Sequence, residues 1–272
     1  MKNIKEFFKS LWELLRLPEM SVLPGNLAFF LILSLAPIVS LFGIISSLFS
    51  FEVSEVTGIF SSILPSSVIE ILNSFLNGNI GTINIVFVVL GLYAASKGSD
   101  NLIIASNMLY KKENGNYLSR KIKAIFMTFW LLLLFLVVLI LLAFGNFIIN
   151  KLLFIEFLNK FISSNYILIT VIKLLVAFVA IFMAIKIIYT LAPNFKIKSK
   201  YVNRGALFST MGIMLVSEVY SYYVTNYAHY DIIYGSLSNI IILMFLIYFI
   251  SYILVLGIAI NNSYYKLDDS IN

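Results

Sequence analysis

The residues most able to do chemistry here are ionisable side chains set inside apolar stretches, foremost Lys173 and Glu218. At roughly 1.5 Å of rise per helical residue, Lys173 lies about 10 Å beyond Tyr166, where its apolar run starts. Glu218 lies about 13 Å before Tyr227, where another run ends. Charges at such depths are costly and mark functional sites by default. If the two meet, pairing lowers the burial cost of both, and the same pair can hold a polar head group or carry a proton. Structural pairing and a site role both stay open. A second group, Lys97, Asp100, Asn101 and Asn107, gathers at the end of another run. Helical spacing sets Lys97 beside Asp100 and Asn101, with Asn107 a turn and a half further on. These residues suit the lining of an inward-facing cavity, and equally a helix end emerging into water. Asn26, Ser34 and Pro37 interrupt a third run, and the proline predicts a kink near Ser34 whose freed carbonyls need partners. Tyr234 stands with Gly235 where the chain re-enters its last run, among interfacial aromatics.

Much chemistry is excluded by what is missing. The sequence has no cysteine and one histidine, His229, so thiolate catalysis, disulfides and His or Cys metal clusters have no residues to build them. No phosphate-binding glycine loop, His-Glu-x-x-His or Gly-x-Ser-x-Gly pattern occurs. Catalytic, metal and cofactor assignments are therefore all none, and no enzyme is expected. Lys186, near an inner span end, is expected to snorkel to the interface.

The elements that position these residues follow from composition. Of 272 residues, 61% are hydrophobic and 12% charged, about half the charge of a soluble domain; the natural solvent is a bilayer. Six runs approach or exceed the roughly 20 apolar residues a spanning helix needs: Leu27 to Phe49, Ile80 to Ser96, Ile122 to Ile149, Tyr166 to Leu191, Gly205 to Tyr227 and Ile233 to Asn261. The second suffices if its helix continues past Lys97 into the Leu102, Ile103 and Leu109 stripe. Basic residues give the orientation. Lys2, Lys5, Lys9 and Arg16, then Lys97, Lys111, Lys112, Arg120, Lys121 and Lys123, then Lys196, Lys198, Lys200 and Arg204, and finally Lys266 fall on one side; only Lys151 and Lys160 fall on the other. Both termini are thus expected in the cytoplasm, and the net charge of +6 records topology and contact with anionic lipid rather than affinity for nucleic acid. The expected fold is all-α, a polytopic membrane bundle of six transmembrane helices with amphipathic interfacial helices beside it. Residues 1–20 form a cytoplasmic amphipathic helix with Ile4, Phe7, Phe8, Leu11, Trp12, Leu14 and Leu15 on one stripe, 21–265 the membrane domain and 266–272 a cytoplasmic tail. A second interfacial helix is expected after Pro65, opened by a Ser67 to Glu70 capping box.

Several stretches, in order, carry a resemblance: Gly25-Asn26-Leu27-Ala28-Phe29-Phe30 through Ser34 and Pro37; Ala105 to Tyr110 with Arg120 downstream; Tyr189 to Pro193; Arg204-Gly205-Ala206; and Tyr234-Gly235-Ser236-Leu237 leading to Leu256-Gly257 and Asn261. Together they resemble the YihY/BrkB family of six-span bacterial inner-membrane proteins, formerly labelled ribonuclease BN. Two departures stand out: the fifth span lacks the tryptophan that family members often carry, and the tail ends soon after Lys266. The resemblance implies a multi-pass protein of the bacterial cell (inner) membrane, associated with serum resistance and with lipid or lipid-linked transport. The expected function is binding or translocation of a lipid or other amphiphilic anion without an ATPase of its own. The alternative is a non-transporting envelope scaffold or assembly factor, and a tRNA-processing nuclease is disfavoured by the residue inventory. Expected partners are membrane lipids and no nucleic acid; a homo-oligomer and envelope proteins stay open.

Overall fold

In the computed structural model, residues 2–18, 20–33, 82–130, 166–227 and 237–269 are described. Among them all regular structure is helical: α1 Lys2–Leu15, α2 Met20–Leu33, α3 Thr82–Leu109, α4 over residues 117–130, α5 Tyr166–Leu191, α6 Ser199–Tyr227 and α7 Leu237–Asp269.

α1 stops at Leu15, the last residue of its apolar stripe, and Pro18 follows. Two tight turns, Leu17 N–H to Leu14 C=O at 3.1 Å and Met20 N–H to Leu17 C=O at 3.0 Å, carry the chain into α2. The stripe divides at its end: Leu14 is buried with Leu11 and Leu15 against the core, and α1 packs on α7. Trp12 stays exposed, with the Arg16 guanidinium 4.9 Å from its ring centre.

α3 is continuous through Lys97, and its far stripe of Leu102, Ile103 and Leu109 is buried, so the second apolar run does gain the length it lacked. It ends in a Schellman turn, Lys112 N–H to Asn107 C=O at 2.8 Å and Lys111 N–H to Met108 C=O at 3.0 Å. Lys111 takes the left-handed position, φ 55°, that glycine usually fills. α4 then starts at an Asn116 cap whose Oδ1 accepts from the Leu118 N–H at 3.2 Å. α5 begins and ends where its apolar run does.

Around an apolar core, long apolar side chains also cover the outer surface while several polar ones are buried. Leu174, Leu175, Val179 and Met183 of α5, and Met244, Phe245 and Phe249 of α7, are exposed, whereas Ser99, Asn107, Thr128, Ser209, Ser251 and Asn261 are buried. Only an apolar solvent tolerates that arrangement. Two stretches among the described residues, Leu174–Leu191 and Ile241–Tyr265, are long and apolar enough to cross a membrane. The protein is a helical membrane protein.

Without a hydrophobic drive between helices in lipid, close packing and interhelical hydrogen bonds hold the bundle. α6 packs on both α5 and α7. Gly205 and Gly257 let α6 and α7 approach closely, and Asn261 Oδ1 accepts from the Gly205 N–H at 2.8 Å. Tyr189 of α5, fully buried, donates to the Leu254 carbonyl at 2.7 Å and shares a 2.7 Å bond with Ser209 Oγ. Three helices are thereby pinned at one level.

Candidate functional site

The polar residues of α3 and α4 meet in a buried seam. α3 turns Ser96, Ser99 and Asp100 toward α4 at helical i, i+3, i+4 spacing, and α4 answers with Arg120, Lys121 and Thr128. Arg120 Nε donates to Asp100 Oδ1 at 2.7 Å, Lys121 Nζ to Ser96 Oγ at 2.6 Å, and Ser99 shares a 2.7 Å hydroxyl bond with Thr128. The Tyr93 ring closes the seam beneath Lys121 Nζ, 4.3 Å from its centre, and Lys97 Nζ lies 5.6 Å from the same ring. On the other flank Asn101 donates to the Lys97 carbonyl at 2.9 Å and accepts from Asn26 Nδ2 of α2 at 3.2 Å.

The seam holds more positive charge than it neutralises. Arg120–Asp100 is an ion pair within the seam, so Lys97 and Lys121 share a carboxylate already engaged. Burial first, then the neighbouring Lys97, pushes the Lys121 ammonium below the usual lysine range, with Asp100 opposing.

Arg120 also faces outward into an open groove of about 830 Å³ between the start of α4 and the α5–α6 connection. Its walls carry Arg120, Lys123 and Lys196 against a single carboxylate, Glu113. Lys123 Nζ is spent on the far wall, donating to Ala192 and Pro193 carbonyls and Asn194 Oδ1 at 3.0, 2.7 and 3.2 Å. Lys196 is exposed. Phe195 gives the groove an apolar side and is backed by Tyr110 and Tyr265, with ring centres at 5.2 and 5.7 Å.

Of the residues singled out from sequence, Lys97, Asp100 and Asn101 come together at the seam, and exposed Asn26 reaches its flank through Asn101. Asn107 lies elsewhere, fully buried, accepting from the Asn194 N–H at 2.9 Å and donating to Asn114 Oδ1 at 3.2 Å. It ties together the two segments that form the groove. Asn107→Leu leaves those groups unpaired, so a loss of about 1–3 kcal/mol is expected. Hydrogen exchange should show faster exchange at residues 110–116 and 192–197, with α6 unchanged. Glu218 is exposed on α6 between Leu215, Val219 and Tyr222, all facing outward. Lys173 belongs to α5, but its side chain, and with it the Lys173–Glu218 pair, lies outside the described residues, as do Ser34, Pro37, Tyr234, His229 and the helix expected after Pro65.

Sequence reasoning missed Tyr93, Ser96, Ser99, Lys121 and Thr128 as one constellation because Arg120, Lys121 and Lys123 had been absorbed into the topology tally. The available signal was the run Ser119-Arg120-Lys121-Ile122-Lys123 continuing into an apolar helix, with Ala124 and Thr128 at helical spacing opposite Ser96 and Ser99. Among the described residues no three His, Cys, Asp or Glu side chains gather as a metal site.

Comparison with known proteins gives a consistent picture. The family model described as Virulence factor BrkB matches residues 12–270. The chain is similar to a putative ribonuclease-like protein, YfkH, of Bacillus subtilis (strain 168), 28% identical over 268 residues that cover 96% of this chain and 95% of that one. It is similar also to UPF0761 membrane proteins of Pseudoalteromonas atlantica, 28% identical over 87% of this chain and 78% of the relative, and of Aeromonas salmonicida, 24% identical over 92% and 86%. No solved structure matches.

Proposed function

The chain belongs to the virulence factor BrkB family, and on that premise we propose that it binds, and carries across the bacterial inner membrane, a lipid or other amphiphilic anion, without an ATPase of its own. The six-span topology with both termini in the cytoplasm is part of this reading and rests on the one-sided distribution of lysine and arginine. The observation that carries the function is the excess of positive charge at buried Lys121 and half-buried Lys97 and Arg120 around one carboxylate. An unpaired buried cation costs several kcal/mol, a cost that a visiting anion offsets. Beside the seam, Ile122, Ile125, Phe126 and Phe129 of α4 are exposed, a surface on which acyl chains can remain in lipid while the head group is engaged. The word ribonuclease belongs to the relative's name, and no nuclease chemistry is proposed here.

The test is reconstitution in liposomes carrying labelled phospholipids, with and without ion gradients. Transbilayer movement faster than in empty liposomes, reduced about tenfold or more by Lys121→Gln, is the expected result. Unchanged movement across a panel of anionic and zwitterionic lipids overturns it. One observation favours the scaffold reading, the docked α1 with its exposed Trp12, and inert liposomes containing a folded protein would select it.

A further inference from the structure

We propose that the groove between α4 and residues 193–197 recognises a phosphate monoester, and that Asp100, held at Nε of Arg120, is an internal anion that holds its affinity down. The proposal rests on the preceding reading only for there being an amphiphile to recognise; phosphate recognition in the groove is separately testable.

The charge state selects the ligand class. Three cations and one carboxylate line the groove, a positive excess that Asp100 behind Arg120 offsets only in part. A phosphate monoester carries about −1.5 to −2 near neutral pH, whereas a carboxylate or phosphodiester carries about half that. Geometry agrees. Arg120 gives Nε to Asp100 and lays its face 5.6 Å from the Tyr117 ring centre, an arrangement that leaves its terminal nitrogens for the planar, paired hydrogen bonds a phosphate accepts best. Lys196 supplies an exposed ammonium from the opposite wall. Lys123, its three protons already donated to residues 192–194, adds field without direct contact and fixes that wall in place. The start of α4, capped by Asn116, points its positive dipole end at the same space. At about 830 Å³ the groove is far larger than a bare phosphate, and Pro193, Phe195 and Ile197 offer the apolar contact that the carbon skeleton of a headgroup requires.

Asp100 makes the site self-limiting. Its carboxylate sits on Arg120 Nε at 2.7 Å, behind the nitrogens that face the groove, and cancels part of the field that attracts the phosphate. Removing the Asp100 charge while keeping its shape therefore tightens binding instead of weakening it, the reverse of what a merely structural ion pair would give.

The experiment is titration calorimetry on the full chain in neutral detergent with dihexanoyl phosphatidic acid, dihexanoyl phosphatidylcholine and inorganic phosphate. Phosphatidic acid is expected to bind and phosphatidylcholine not. Lys196→Gln, at an exposed position outside the core, is expected to weaken phosphatidic acid about tenfold with its melting temperature unchanged. Asp100→Asn is expected to tighten it roughly fivefold or more. Equal binding by Lys196→Gln and the parent, or equal binding of phosphatidylcholine, overturns the groove. If Asp100→Asn weakens binding, the restraining role of Asp100 is overturned. Inorganic phosphate binding as tightly as phosphatidic acid identifies a soluble phosphate ester as the ligand and removes the lipid. Binding without transbilayer movement sinks the transport reading and spares the groove; movement indifferent to Lys196→Gln does the reverse.

Discussion

Gly205→Ala is expected to lower the melting temperature of the purified protein in neutral detergent by about 6–12 °C, the equivalent of roughly 3 kcal/mol for a chain of this size. A methyl group at this position would overlap the Gly257 carbonyl oxygen and the Asn261 side chain. The first obstacle is backbone, so no side-chain rotation relieves it, and α6 and α7 must move apart. Separation also breaks the 2.8 Å bond from the Gly205 N–H to Asn261 and strains the Tyr189 bonds to Ser209 and Leu254. Gly25, with open space where its Cβ would stand, is the control, and Gly25→Ala should melt within about 1–2 °C of the parent. Equal melting of Gly205→Ala and Gly25→Ala would show that the α6–α7 approach does not limit stability.

Asp100→Ala should cost about 3–5 kcal/mol, the usual penalty for removing one partner of a buried ion pair. The side chains of Arg120 and Asp100 are 14% and 8% exposed, so solvent compensates little. Lys97 and Lys121 lose their shared counter-charge in the same step. If the penalty comes from stranded charge, Asp100→Leu with Arg120→Met recovers at least half of it, because a neutral, volume-matched pair removes the desolvation cost along with the attraction. A double variant as unstable as Asp100→Ala would place the cause in packing. Chemical denaturation of both variants in the same detergent decides between them.

Helix existence was legible from sequence wherever one signal governs it. α5 spans its apolar run end to end, and α3 extends through Lys97 as its buried stripe requires, because in lipid an apolar chain must satisfy its backbone internally. The end of α3 was not legible: a lysine in the left-handed position of a Schellman turn leaves none of the glycine mark that usually announces one. The polar seam was half legible. Asp100 and Asn101 stood out as polar residues within a helix, but their partners Arg120 and Lys121 carried the same one-letter evidence as any basic residue at a membrane boundary. Telling a topological lysine from a buried one requires knowing which helix it faces, and spacing along one helix does not contain that. The groove was illegible for the same reason, since Lys123 and Lys196 meet across two connections whose approach is set by Asn107.

Asn262 of α7 donates a short hydrogen bond to the Leu109 carbonyl of α3, a contact joining residues 153 positions apart. Its meaning is temporal. The carbonyl at the end of α3 leaves the ribosome long before its partner exists, and closing so large a loop comes late in folding, after local helix pairs have formed. During synthesis the end of α3 therefore waits for this partner until α7 arrives. The last helix thus acts as the clasp of a bag whose opening was sewn first.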